Sequence, residues 1–273
     1  MADLSISKAW DETTAVLARD GKLITNVALA LIVLPQALAG VLAPPPTLSG
    51  ASPPAWMPVV SVIVAIVGII GQIAIARLAL GPSITVGQAI EHGGRRVIPA
   101  FVALILFGVA LALILTPIFL LIAGMSGLES LSSERPTPAA AGAIFVILVL
   151  CLFAAPRFQL VVPTAAGEDG GPIRLLRRSW ELTAGSYWRL FGFLLLVLIA
   201  AFVVVLFVGQ IMVGIIIRTT FGTIHPFTLG ALVAALLTAA AAAAFAAVTS
   251  VVVARIYAQL SGRGAASVPK SGT

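Results

Sequence analysis

The sequence predicts an all-α, polytopic membrane protein with six transmembrane helices and three interfacial amphipathic helices. Three observations support this fold class. Of the 273 residues, 60% are hydrophobic and 10% are charged, whereas a soluble domain carries about 25% charged residues. Six apolar runs are long enough to cross a bilayer, and an amphipathic pattern recurs ahead of three of them. The mean hydropathy of +1.14 fits a chain whose solvent is mostly lipid.

A transmembrane helix needs about 20 consecutive, predominantly apolar residues. Six runs meet this length: Leu23–Ala43, Trp56–Leu80, Val97–Ala123, Ala139–Val162, Leu190–Ile217 and Phe227–Ala254. Formal charge is almost absent from their interiors, and the charged residue of the second run, Arg77, lies at its end. The runs predict a single membrane domain over residues 1–260, followed by a flexible cytoplasmic tail at 261–273.

The basic residues of the connecting segments predict the orientation, because cytoplasmic loops carry an excess of Lys and Arg. With the N-terminus inside, 14 of the 16 Lys and Arg residues lie in inner segments, and Arg135 and Arg218 lie in outer ones. Six crossings return the C-terminus to the same side. We therefore expect a bacterial inner membrane, with both termini in the cytoplasm. The outer connections at 44–54 and 129–138 are too short to form domains.

The first run has a competing interpretation as part of a cleaved signal peptide, because Ala37-Leu38-Ala39-Gly40 resembles an A-x-A cleavage site. The segment before it is long and contains four acidic residues, Asp3, Asp11, Glu12 and Asp20. A signal peptide begins with a basic region instead. We therefore expect the first run to be retained as a span.

An internal repeat is indicated by two similar segments. Trp10–Ala15 and Trp180–Gly185 share a Trp followed by an acidic residue and a Thr, and an arginine follows each at the same offset, Arg19 and Arg189. A weaker copy, Val86–Glu91, precedes the second pair of spans. The chain therefore predicts three units, each an amphipathic helix with a helical hairpin, at about 1–80, 81–165 and 166–260. A chance match in a biased composition is the alternative.

The three copies have the features of surface helices. In the first, an apolar side is predicted for Ile6, Ala9, Trp10, Thr13 and Leu17, with Lys8, Asp11 and Glu12 opposite. In the second, Thr85 and Gln88 form a predicted capping box, and Gly93-Gly94 are expected to end the helix. All three helices should lie in the cytoplasmic headgroup layer rather than cross it. The alternative is that they are connectors packed on the bundle.

The third copy has the clearest pattern. Pro172 suits the first position of a helix, and Gly185 is expected to end it. One side is apolar and the other charged; the apolar residues are Ile173, Leu176 and Trp180, and the charged ones are Arg174, Arg177, Arg178 and Glu181. Arg177 and Glu181 have the favourable spacing of four residues.

Lysine and arginine beside a membrane span attract anionic lipid headgroups. The candidate residues for binding lipid headgroups or an acidic partner are Arg174, Arg177, Arg178, Arg189, Arg95 and Arg96. Tryptophan and tyrosine are enriched at membrane interfaces. The candidate interfacial anchors are Trp10, Trp180, Tyr187 and Trp188.

The segment Arg178-Ser179-Trp180-Glu181-Leu182-Thr183, followed by Gly185, Trp188-Arg189 and a long span, resembles the glycerophosphoryl diester phosphodiesterase membrane-domain family. This resemblance implies a six-span membrane module over nearly the whole chain. The family takes its name from members that are fused to a soluble, TIM-barrel-like phosphodiesterase domain. The short segments outside the spans leave no room for such a domain. The resemblance therefore implies the membrane module without the enzyme activity.

Catalytic motifs are not evident in the sequence. His92 and His225 fall on opposite sides of the predicted topology, so one metal ion could not bind both. Glu168 and Asp169 lie in a Gly-rich loop that is typical of a solvated turn, and the loop lacks the Lys-Ser/Thr of a phosphate-binding loop. We therefore predict no enzyme activity, no metal and no cofactor. Because the basic residues flank apolar runs, we predict no nucleic-acid binding either.

These observations predict a non-enzymatic membrane protein that organises or binds anionic lipid, or a membrane-protein partner complex, through its cytoplasmic interfacial helices. The alternative is an exporter or permeation pathway for a lipid or other apolar solute. Ion-coupled carriers usually keep ionisable residues in their spans, whereas these spans offer neutral groups such as Gln36, Gln72 and Thr116. The alanines at 239–244 predict close helix packing, within one chain or in a homo-oligomer.

Overall fold

The computed structural model describes residues 4–43, 52, 54–81, 84–126, 137–204, 207, 211, 213–222 and 225–262. Within these residues the structure is all-helical, without strands. They contain six helical segments that are long and apolar enough to cross a membrane: Ile6–Leu42, Met57–Leu80, Val86–Leu121, Ile144–Gly167, Tyr187–Val204 and Leu229–Leu260. The prediction of an all-α protein with six transmembrane helices is confirmed. Most of the two predicted outer loops and the tail beyond residue 262 lie outside the described residues.

The described residues form ten α-helices. They are α1 (Ile6–Ala28), α2 (Leu34–Leu42), α3 (Met57–Leu80), α4 (Val86–Ser126), α5 (Pro138–Ala154), α6 (Val161–Gly167), α7 (Pro172–Ala184), α8 (Tyr187–Val204), α9 (Val213–Thr220) and α10 (Leu229–Leu260). A π-helical turn at Leu29–Val33 joins α1 to α2, and a 3₁₀ turn at Ala155–Arg157 follows α5. The π turn lies just before Pro35, which has no N–H for the helix ladder.

Two of the predicted surface helices are continuous with spans. The first forms the N-terminal part of α1, and the second forms the N-terminal part of α4. The capping box at the start of α4 is present, because the Gln88 N–H donates to Thr85 Oγ1 at 3.3 Å and the Thr85 N–H donates to Gln88 Oε1 at 3.1 Å. The third, α7, is a separate helix that begins at Pro172 and ends before Gly185. Placement of the three in the headgroup layer stays a prediction, as does the repeat.

The prediction that Gly93-Gly94 end the second surface helix is wrong, because both glycines lie inside α4. Gly93 instead allows α4 to approach α3 closely. A Cβ atom at Gly93 would lie 2.7 Å from the backbone oxygen of Ile70, whereas a Cβ atom at Gly94 would meet nothing within 4 Å. Gly93 therefore serves a packing contact between α3 and α4, and the glycine pair does not mark the end of a helix.

This contrast gives a test of the α3–α4 contact. Gly93→Ala should lower stability by about 1 kcal/mol or more, because the new methyl group must displace a backbone carbonyl. Gly94→Ala should leave stability unchanged or raise it slightly, since alanine is the better helix former. Thermal unfolding in detergent would measure both. A lower midpoint for Gly94→Ala than for Gly93→Ala would contradict the described contact.

The centre of the bundle is α10, which packs against α1, α2 and α3. Its buried face repeats every four residues; the members are Ala231, Ala235, Ala239, Ala243, Ala247 and Val251. Small side chains let helix backbones approach one another. Gly40 of α2 shows this closeness, because a Cβ atom there would lie 2.9 Å from the Cβ of Ala235.

A group of ion pairs lies at one end of the bundle. At this end, ion pairs join α4 and α7 to the segment that follows α6, through Arg96–Asp169 and Arg178–Glu168, and join α10 to α1 through Arg255–Glu12. We call this the basic end. At the other end, the Phe227 N–H donates to the Val41 carbonyl oxygen at 3.2 Å. The charged groups that carry the predicted function therefore meet at one end of the fold.

Candidate functional site

Helix α7 presents three different faces at the basic end. Leu175, Ser179 and Thr183 are buried against the rest of the protein. Ile173 and Trp180 are 75% and 53% exposed on the adjoining face. The arginines of the remaining face turn toward solvent and the neighbouring loop. The sequence predicted the apolar and charged sides of this helix, but it did not indicate that a face with two hydroxyl groups is the buried one.

The buried hydroxyl groups hold Arg157, which follows α5 in the 3₁₀ turn. Ser179 Oγ donates to the backbone oxygen of Arg157 at 2.6 Å. The guanidinium of Arg157 lies 4.5 Å from the centre of the Trp180 ring and 5.1 Å from that of Tyr187. Its Nη1 lies 3.4 Å from Thr183 Oγ1. Two aromatic rings and a hydroxyl therefore fix its position by cation–π attraction and weak hydrogen bonding.

Arg157 has no carboxylate at ion-pair distance in the described part of the chain. It lines a groove of about 730 Å³ at the elbow between α7 and α8. We call this groove the arginine pocket; its principal lining residues are Arg157, Arg178, Arg189, Glu181, Tyr187 and Trp188. Three arginines and one glutamate line it, and Arg178 pairs with that glutamate, Glu181, and with Glu168 below. Three cations against two carboxylates leave a net positive charge that suits an anion.

Glu168 connects three helices beneath the pocket. Its Oε1 accepts a hydrogen bond from Arg178 Nε at 3.1 Å and another from the Tyr257 hydroxyl at 2.9 Å. Tyr257 is fully buried in α10, and the Glu168 side chain is only 20% exposed. The prediction of a solvated turn is therefore wrong for Glu168. Asp169, which pairs with Arg96, is 86% exposed and fits that prediction.

Helix α1 is fastened to the end of α10. Arg255 Nε lies 3.9 Å from Glu12 Oε2, and the Ser5 N–H donates to Gln259 Oε1 at 3.2 Å. The Arg255 and Glu12 side chains are 20% and 24% exposed. Glu12, expected on a polar outer side, therefore turns partly toward the bundle, because α10 supplies a cation for it there.

The six predicted arginines do not form one site. Arg178 and Arg189 line the arginine pocket, and Arg189 Nη1 also donates to the Leu4 carbonyl oxygen at 2.9 Å. Arg177 pairs with Glu181 on the exposed surface at 3.0 Å, and Arg174 packs its stem over Gly170.

The remaining two predicted arginines lie elsewhere at the basic end. Arg95 pairs with Glu91 on the surface of α4, and Arg96 pairs with Asp169. Arg157, which the prediction did not assign to a site, completes the pocket. A single arginine near the end of an apolar run shows no periodic pattern, so only the tertiary contact with α7 identifies it.

The predicted aromatic anchors gather at the basic end. Tyr187 and Trp188 line the arginine pocket, Trp180 lies against its Arg157, and Trp188 is 71% exposed. The Tyr187 hydroxyl donates to the Phe153 carbonyl oxygen at 2.7 Å. Trp10 lies on α1, beside a second groove.

This second groove has a volume of about 700 Å³ and lies between α1, α8 and α10. It is lined almost wholly by apolar side chains, including those of Trp10, Phe193, Val197, Ala244 and Val248. We call it the apolar groove. Its floor contains alanines of α8 and α10, and α8 packs less closely against α10 than α1, α2 and α3 do.

Polar groups of the spans also meet in a small cavity of about 160 Å³, where Gln72, Gln159, Thr249 and Ser250 line the wall. Gln159 Oε1 is buried there without a hydrogen-bond partner among the described residues. Among the described residues, no group of three or more His, Cys, Asp and Glu is arranged to hold a metal ion.

Comparison with known families gives one match. A family described as "Domain of unknown function (DUF7847)" matches residues 4–260. No curated protein and no solved structure matches the chain.

Proposed function

The chain belongs to the DUF7847 family, and from its residues we propose that it is a non-enzymatic membrane protein that binds anionic lipid headgroups at the arginine pocket. The observation that supports this proposal is Arg157, a cation held between Trp180 and Tyr187 in a pocket with two further arginines. A guanidinium forms charge-assisted, often bidentate hydrogen bonds with phosphate. The pocket therefore has the charge and the donors that a phosphate headgroup needs.

The surroundings of the pocket suit a membrane surface. Ile173, Trp180 and Trp188 are exposed apolar side chains on α7 and at the start of α8. Such side chains enter the boundary between headgroups and acyl chains. The basic end would then face the cytoplasm of a bacterial inner membrane, with both termini on that side, because basic residues favour that face. A relation to the membrane region of the glycerophosphoryl diester phosphodiesterase proteins stays a prediction.

The test of the proposal is lipid retention by an Arg157→Gln variant. Protein is purified from nanodiscs that contain equal amounts of phosphatidylglycerol and phosphatidylcholine, and bound lipid is measured by native mass spectrometry. Loss of one cation at a membrane surface costs about 1 kcal/mol, so Arg157→Gln should bind phosphatidylglycerol about fivefold more weakly. The affinity of Arg157→Lys for phosphatidylglycerol should lie between those of the parent protein and Arg157→Gln, because lysine keeps the charge and lacks the planar guanidinium.

The matched control is Arg95→Gln, which removes the same charge from an arginine that is exposed and paired with Glu91 outside the pocket. It should retain phosphatidylglycerol as the parent protein does. Equal losses in Arg95→Gln and Arg157→Gln would show that net charge, rather than the pocket, attracts the lipid.

A second candidate function is an exporter or permeation pathway for a lipid or other apolar solute. The apolar groove favours it, because this groove lies between helices of the first and third predicted repeat units. Reconstituted vesicles distinguish the two functions. A pathway should move fluorescent phospholipid between leaflets faster than protein-free vesicles do, whereas a lipid-binding protein should bind it without accelerating that exchange.

A further inference from the structure

One face of α8 connects the arginine pocket to the apolar groove. Arg189 lines the pocket, and Phe193, Val197, Ala200 and Val204 follow it along the groove at spacings of three or four residues. Residues at these spacings lie on the same side of a helix. The pocket and the groove therefore meet at the turn of α8 that runs from Arg189 to Phe193.

The first residues that the structure describes lie at this junction. Arg189 Nη1 donates to the Leu4 carbonyl oxygen at 2.9 Å, and the Leu4 side chain packs in the same apolar cluster as Phe193. Ile6 and Ser7 then line the apolar groove. Arg189 thus lies where the arginine pocket meets the apolar groove.

The length of the groove fits one leaflet of a bilayer. From Phe193 to Val204 the helix advances eleven residues, about 16 Å at 1.5 Å per residue. Half of a hydrocarbon core of about 30 Å is about 15 Å. A chain in the groove would therefore reach from the headgroup region to the middle of the membrane.

The lining of the groove suits a hydrocarbon chain. Ala200, Ala241 and Ala244 leave room between α8 and α10. The one threonine in the wall, Thr249, donates its hydroxyl to the Phe245 carbonyl oxygen of its own helix at 2.8 Å. The hydrogen bond of Thr249 is therefore made within the protein. The other hydroxyl of the lining, Ser7, is exposed near the start of α1, and the remaining side chains are apolar or aromatic.

We infer that one acyl chain of an anionic phospholipid lies in the apolar groove while its phosphate lies at the arginine pocket. This inference rests on the proposed function and extends it from the headgroup to the whole lipid. The charge of the pocket selects an anionic headgroup, and the alanine floor of the groove gives one chain a fixed position beside α8. The protein would thus bind an individual lipid molecule, rather than only being attracted to a charged membrane surface.

The test fills the groove with the Ala244→Trp variant. In nanodiscs with equal amounts of phosphatidylglycerol and phosphatidylcholine, this variant should retain about fivefold less phosphatidylglycerol than the parent protein, which corresponds to about 1 kcal/mol. Ala242→Trp is the matched control, because Ala242 is exposed on the same helix and does not line the groove. It should retain the lipid fully.

A second measurement observes the parent protein, whose groove is unaltered, and uses Trp10→Phe only to assign the fluorescence signal. Phosphatidylglycerol brominated on its chains should quench the fluorescence of Trp10, and the quenching assigned to Trp10 should be lost in Trp10→Phe. Full retention by Ala244→Trp, or no quenching of Trp10, would overturn the position of the chain while leaving headgroup binding intact. No preference for phosphatidylglycerol in the parent protein would overturn the headgroup proposal as well.

Discussion

Ala243→Phe is expected to destabilise the protein by about 3 kcal/mol, whereas Ala242→Phe is expected to change its stability by no more than about 0.5 kcal/mol. Ala243 is 2% exposed and belongs to the central apolar cluster, while Ala242 on the same helix is exposed. A phenyl ring at position 243 must force α10 away from its neighbours. At position 242 the ring can enter lipid.

Thermal unfolding in detergent would measure this difference, with size-exclusion chromatography to detect aggregated protein. The two variants have the same composition, so hydrophobicity alone cannot separate them. If Ala242→Phe were as destabilising as Ala243→Phe, the described side of α10 would not be the packed one. An assembly interface at position 242 would be the next hypothesis, because the sequence also permits a homo-oligomer.

Glu168→Ala is expected to destabilise the basic end by about 1.5–3 kcal/mol, which is typical for hydrogen bonds to a charged group. Removal of this carboxylate takes an acceptor from the buried Tyr257 hydroxyl and an anion from Arg178. Asp169→Ala is the matched control, because Asp169 is the adjacent carboxylate and is 86% exposed. Its ion pair at the surface should contribute less than about 1 kcal/mol.

A double-mutant cycle with Tyr257→Phe tests the contact directly. If the hydroxyl and the carboxylate interact as described, the effects of Glu168→Ala and Tyr257→Phe should not add, because each removes the same hydrogen bond. Unfolding midpoints of the two single variants and the double variant would provide the cycle. Additive effects would place Tyr257 and Glu168 apart.

The number and position of the spans could be predicted from sequence because they depend on local composition. The free energy of transferring an apolar run into lipid depends on the residues of that run and not on its tertiary neighbours. The starts of α1 and α4 were harder to predict. An amphipathic segment that precedes a span can form a separate helix or continue into the span. The glycine pair at 93–94 is typical of a helix end, whereas Gly93 lies within α4 because it meets Ile70 of α3.

The candidate site could be predicted only in part. Arg178 and Arg189 follow from a charge pattern within twelve residues of sequence, and the aromatic belt identifies Trp180 and Tyr187. Arg157 lies more than twenty residues before Trp180 and meets it only through tertiary packing. Glu168 meets Tyr257 across 89 residues of sequence. Neither contact has a periodic pattern.

The attachment of α1 to the end of α10 has a consequence for the order of assembly. Glu12 and Ser5 have partners at Arg255 and Gln259, near the other end of the chain. Synthesis of the intervening residues takes about 12 to 50 s at about 5–20 residues per second. During that time the first helix lacks the neighbour that covers it. Until the last span arrives, only α3 and other groups outside α10 are available to cover this helix.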